Sequence, residues 1–162
     1  MAAGPEAAVE RIAALVEGTR TSDQWKRVEQ RLSDLTDAEA IPSGMDYGYW
    51  VASTSVLQRD KVVGSVMDVQ LTVEVELARR YGGGSMHGRE FYNLHKDLSE
   101  QANAVQQTIT HSNNWAFATS GIWLVDLDAG ALIEPVSGGG LMIWQSVFSV
   151  EVRMAAAHTA VA

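Results

Sequence analysis

Between Val66 and Gly88 the chain reads VMDVQLTVEVELARRYGGGSMHG: a two-faced strand, a glycine-rich loop and, directly after it, a helical pattern. Proteins cradle phosphate in this setting, because a glycine loop lets backbone N–H groups approach an anion at a helix start. The letters do not match that chemistry. Gly83 and Gly88 have the four-residue gap of a P-loop, but Arg89-Glu90 stands where Lys-Ser/Thr is required. No hydroxyl is placed for magnesium, and the Glu90 carboxylate would repel a triphosphate. Gly82, Gly84 and Gly88 are spaced one residue too widely for the dinucleotide fingerprint. The expected role of the loop is to relieve a strand-to-helix reversal.

Other reactive side chains are equally thin. His87, Glu90 and His95 invite a metal, yet the histidines are eight residues apart, about two helical turns, and no second cluster completes the shell. His111 falls near a helix C-terminus, where a cation complements the dipole, and His158 lies in a tail without context. Asp126 and Asp128 could share acid–base work, but they sit at a glycine turn, where Asp is favoured for backbone hydrogen bonding alone. There is no G-x-S-x-G elbow and no cysteine, so serine-hydrolase and thiol chemistry, disulfides and thiolate zinc sites drop out. The expectation is a protein that is not an enzyme, with no catalytic residue, no metal and no cofactor.

The totals agree. With 162 residues the chain fits one domain, and 12 basic against 20 acidic residues leave a formal charge of −8, which disfavours nonspecific capture of nucleic acid. The opening MAAGPEAAVERIAALVEG has no basic leader, and Glu6, Glu10 and Arg11 interrupt its apolar residues, unlike a signal peptide. No stretch reaches the ~18–20 apolar residues of a membrane span.

The elements that must position these residues follow from periodicity. Val9, Ile12, Ala13 and Val16 recur at helical steps after Pro5 and before Gly18. A second helix is expected after a Ser22 or Asp23 cap, with Trp25, Val28, Leu32 and Leu35 as its apolar stripe, ending before Pro42. Tyr49 to Gln58 is rich in strand formers, and Gly64-Ser65 marks a turn. The next strand alternates Met67, Val69, Leu71, Val73, Val75 and Leu77 against Asp68, Gln70, Thr72, Glu74 and Glu76. From Gly88 the period switches, with Phe91, Leu94, Leu98, Ala102, Val105 and Ile109 on one face of a helix about 33 Å long, enough to cover the expected sheet. A strand from Gly121 to Leu127, a turn around Asp128 to Gly130, and a closing strand from Leu141 to Met154 complete the chain. This predicts an α+β single domain over 1–162, its core over 5–154: a mostly antiparallel four-stranded sheet covered by a long helix plus N-terminal helices. Residues 155–162 are expected to form a flexible tail.

Two features bear on function. The five tryptophans exceed what a small core needs, and Trp50 and Trp115 are the candidates for a subunit contact. The acidic side of the second strand is either a solvated face or, if many copies close a ring, an acidic lining of its bore by Asp68, Glu74 and Glu76, past which DNA slides without adhering.

The whole pattern resembles the tail terminator (tail-completion) family of long-tailed phages and phage-like gene transfer agents. The likeness rests on the helix VERIAALVEG, the alternating strand VMDVQLTVEVELARR, the helix FYNLHKDLSEQANAVQQTI followed by NNW, and the closing strand MIWQSVFSVEVRM. It implies a homohexameric ring in the neck of a virion, assembled in the host cytoplasm, that stops tail-tube polymerisation and offers the head its docking surface. Its implied partners are further copies of itself, the tail tube protein and a head-completion (stopper) protein, with DNA passing through the lumen and no membrane involved. Arg79, Arg80 and Tyr81, at the start of the glycine loop, are either contact residues of such a ring or simply a solvated loop start. Replacing Glu74 and Glu76 with lysine is expected to spare folding and impair genome passage. The alternatives are another neck or tail tube component, or an α+β domain binding a small ligand.

Overall fold

The structure is a computed structural model that describes residues 5–22, 24–29, 31, 47–63, 66–81, 88–115, 121–138 and 141–157. Helix α1 spans Pro5–Gly18, strand β1 Lys26–Arg27, β2 Tyr47–Val63, β3 Val66–Tyr81, α2 Gly88–Thr110, β4 Ile122–Gly138 and β5 Leu141–Ala157. A short 3-10 turn at Ser112–Asn114 follows α2. The fold is α+β, with one sheet of strand order β1-β2-β3-β5-β4. The β2–β3, β3–β5 and β4–β5 pairs are antiparallel, and β1 joins β2 in parallel.

Strict alternation in β3 produces the two faces. Val69, Leu71, Val73, Val75 and Leu77 are buried on one side, opposite Phe148, Val150, Val152 and Met154 of β5. Leu98, Ala102, Val105 and Ile109 of α2 and Ala8, Ile12, Leu15 and Val16 of α1 complete the same core. Each of these Val, Leu, Ile, Phe and Met side chains contributes about 1.5–3 kcal/mol on leaving water. Pro5 opens α1, where its missing N–H costs nothing, and Thr19 closes it by donating its hydroxyl and N–H to the Val16 carbonyl.

Four expectations change. The sheet has five strands because Lys26–Arg27, at the start of the segment expected to form a second helix, pair with β2 as β1. Trp25 just before it is 2% exposed, packs edge-on against Tyr47 at 5.1 Å and donates its indole N–H to Thr19, contacts that outweigh a short helical stripe. Leu32 and Leu35 lie outside the described residues, as do Gly64-Ser65 and the loop Gly82 to His87. The long strands begin or end beyond their expected limits, β2 from Tyr47 to Val63. At 16–17 residues and ~3.3 Å rise they run about 55 Å, so the 23-residue α2, about 35 Å long, does not cover the sheet.

The turn expected at Asp128 to Gly130 is absent. There β4 continues to Gly138 and absorbs the small residues as register shifts between Leu127 and Leu132. Finally, the chain beyond Met154 is not loose until at least Ala157: Ala155, Ala156 and Ala157 pair with Asp68, Met67 and Val66. The Ala155 N–H also donates to the carbonyl of Gly121, which takes the left-handed φ of 80° that glycine tolerates. His158 to Ala162 lie outside the described residues.

Candidate functional site

The side of the sheet turned away from the helices carries Asp68, Gln70, Thr72, Glu74 and Glu76 of β3. Asp68, Gln70, Thr72 and Glu74 are half-buried, and Glu76 is 0% exposed. Arg31 crosses this face: its guanidinium donates to Glu76 Oε1 at 3.2 Å and to Glu74 Oε1 at 2.7 Å, and sits 5.7 Å from the Trp50 ring centre. One planar fork thus holds two carboxylates two residues apart on one strand face. Within one subunit the three carboxylates expected to line a bore, Asp68, Glu74 and Glu76, stand differently. Glu76 is covered inside its own subunit, Glu74 is bound to the same cation, and Asp68 remains with one buried oxygen lacking a hydrogen bond.

A second cluster occupies the other half of the face. Arg153 donates to Glu151 at 2.9 Å and to Gln70 at 3.5 Å, and lies 5.6 Å over the ring of Trp123. Asp126 stands opposite Glu151 in the β4–β5 register, and both Asp126 and Asp128 are exposed. Asp126 accepts from the N–H of Leu127 at 2.8 Å. The most exposed described carboxylates of the sheet therefore belong to β4. The signal was present in the letters IWLVDLDAG, where two Asp alternate with apolar residues, but the glycine made it read as a turn.

The contact residues expected from sequence divide three ways. Arg79 forms an ion pair with Asp97 of α2, and Tyr47 donates its hydroxyl to the same carboxylate at 3.0 Å. The Tyr47 ring is flanked by the guanidinium groups of Arg20 at 3.6 Å and Arg79 at 5.2 Å. Burial holds the Tyr47 phenol above its usual pKa, against the opposing pull of Arg79. Arg79 thus ties β3 to α2 within one chain. Trp115, expected at a subunit contact, is 6% exposed and donates its indole N–H to the Ile109 carbonyl at 2.6 Å, so within one chain it seals the C-terminal end of α2. Trp50 is half-buried beneath Arg31. Arg80 and Tyr81 hold the end of β3 through backbone register with Ile143 and Met142, and their side chains lie outside the described residues.

Of the histidines, His111 caps the 3-10 turn by accepting from the Asn113 N–H at 3.1 Å, and His95 is half-buried on α2. His87 and His158 lie outside the described residues. Among the described residues no three of His, Asp or Glu gather as a metal shell, and no helix is long and apolar enough to cross a membrane. No model of a known protein family matches the sequence, and no curated protein matches it significantly. What the arrangement can do is present a long sheet with one face partly covered by helices and the other polar.

Proposed function

We propose that the chain is a structural subunit of a phage-like tail: a terminator that closes into a ring, most simply a hexamer, at the head-proximal end of the tail tube. There it stops tube growth and receives the head. The observation that supports this reading is the one-sided sheet. Four long alternating strands pack both helices on one face and turn a polar, net acidic face outward, as a wall facing a DNA-filled bore would require. With Glu74 and Glu76 held by Arg31 and Glu151 by Arg153, the bore carboxylates in this reading are Asp68 and Asp126. The formal charge of −8 favours passage of DNA over adhesion. The function is steric and electrostatic, its partners being further copies, the tail tube protein and a head-completion protein, and its location the virion neck.

The test is to add the purified protein to tail tube subunits from the same genome while tubes polymerise. Shorter tubes bearing a ring at one end, with a mass near six subunits by light scattering, are expected. Unchanged tube lengths with a persistent monomer would remove the reading. A monomer that instead gained thermal stability with a nucleotide would point to a ligand-binding domain.

A further inference from the structure

The two outer strands of the sheet match each other level by level. On β2, Gly48 and Tyr49 are taken by β1, and the Val28 N–H donates to the Tyr49 carbonyl at 2.8 Å. Across the sheet the same levels fall on Glu134 and Ile133 of β4, next to Pro135, whose missing N–H cannot extend a ladder. Both edges are thus closed or weakened at one end of the sheet.

At the other end both are available: among the described residues no strand pairs with β2 beyond Tyr49, and none with the outer side of β4. There the exposed large apolar side chains gather, Val56 and Leu57 on β2 and Trp123 and Leu127 on β4. They are level. Val56 aligns through Leu71 and Val152 with Val125, and Leu57 through Gln70 and Arg153 with Leu124, between Trp123 and Leu127. Each edge offers one such residue to each face: Val56 and Leu127 on the helix side, Leu57 and Trp123 on the polar side, where Arg153 lies against Trp123.

Charge selects the pairing. At the open levels β4 carries Asp126 and Asp128 and no cation, whereas Ser53 to Leu57 of β2, level with them, carry no charge. Pairing β4 with β4 would set acid against acid; pairing β2 with β4 avoids that repulsion. Direction agrees, since four long strands that alternate in direction, an even number, bring β4 of one copy antiparallel to β2 of the next with the same face inward. Unprotected edges of this length are otherwise sites of uncontrolled association.

We propose that copies of this chain join head to tail through the open halves of these edges, β2 of one copy pairing antiparallel with β4 of the next. Val56 and Leu57 of the first pack against Trp123 and Leu127 of the second. The contact is heterologous, so it builds a ring or an open filament according to its rotation. The inference deepens the ring reading and rests on it for closure alone.

Because the chain has no cysteine, introduced thiols report this contact alone. In the variant carrying Ser55→Cys and Asp128→Cys, a flexible bis-maleimide applied over rising protein concentration is expected to give a ladder beyond two copies. Either single variant should give none, and adding Leu57→Lys should abolish the ladder while circular dichroism shows the fold intact. Dimers from Asp128→Cys alone, or no ladder at the highest soluble concentration, would overturn the edge contact, even if light scattering still found rings. A ladder running past six copies into open filaments would support the edge contact while removing the hexameric terminator reading.

Discussion

Arg31 and Glu76, 45 residues apart in sequence, meet at 3.2 Å on the polar face of the sheet, the carboxylate 0% exposed and the guanidinium still 42% exposed. The same guanidinium also binds Glu74. One cation therefore keeps two neighbouring carboxylates from repelling each other in a site with little water.

Arg31→Ala is expected to destabilise the subunit by about 2 kcal/mol, less than the ~3–5 kcal/mol typical when a fully buried pair is broken, because Arg31 keeps contact with solvent. Arg31→Lys should recover only part of this, since an ammonium cannot fork to both carboxylates. Glu76→Lys should be worse than Glu76→Gln, for it places a second cation against Arg31. Urea midpoints measure all four. Equal midpoints for Glu76→Lys and wild type would restore the expectation that lysine there spares folding.

Tyr49 carries the pH prediction. Its ring is buried, and its hydroxyl donates to Glu17 Oε1 at 2.5 Å, linking β2 to α1. Burial first, and then the hydrogen bond to Glu17, hold the phenol well above its ordinary value. The folded pKa is raised, so this contribution is fully present below the unfolded value of about 10 and is lost as pH rises beyond it. Stability should fall on raising the pH above about 10, and Tyr49→Phe should make that fall shallower. Near neutrality Tyr49→Phe should cost about 1 kcal/mol, because the exposed Glu17 carboxylate regains water. Denaturant titrations at several alkaline pH values compare the two proteins.

Trp115 separates a core role from an interface role. Trp115→Ala should cost about 3–5 kcal/mol by emptying a filled site. Trp115→Phe should cost less, but it leaves the Ile109 carbonyl without its donor. Thermal unfolding at low protein concentration should show both losses. If both variants melted like wild type and only association changed, Trp115 would belong at a contact between copies.

The Tyr47, Arg79 and Asp97 group should behave as one unit. Arg79→Ala is expected to cost about 1–2 kcal/mol in the isolated subunit, since it removes a charged partner from a half-buried carboxylate. Combined with Tyr47→Phe, the losses should depart from additivity by at least about 0.5 kcal/mol, because both donors act on Asp97. A double-mutant cycle from denaturant midpoints decides it; strict additivity would mean that the two contacts are independent.

The letters alone determined what is periodic. The eleven alternating residues from Met67 to Leu77, the helical spacing from Leu98 to Ile109 and the alternation ending at Met154 each identify an element and its buried face, because side-chain direction repeats with the local backbone period. They also showed β3 to be acidic on one side. Whether Glu74 and Glu76 on that side meet water was decided elsewhere, by Arg31 reaching across from a segment far away in sequence.

Tertiary structure likewise placed the two-residue β1 at the start of the expected second helix, beside Trp25 and Tyr47, carried β4 through Gly130 by pairing with β5, and drew Trp115 under the end of α2. It alone placed Val56 level with Val125 on opposite rims of the sheet. The physical reason is common to all of these. A period is carried by neighbours along the chain, whereas burial, ion pairing and the alignment of two distant edges exist only once segments tens of residues apart share a surface.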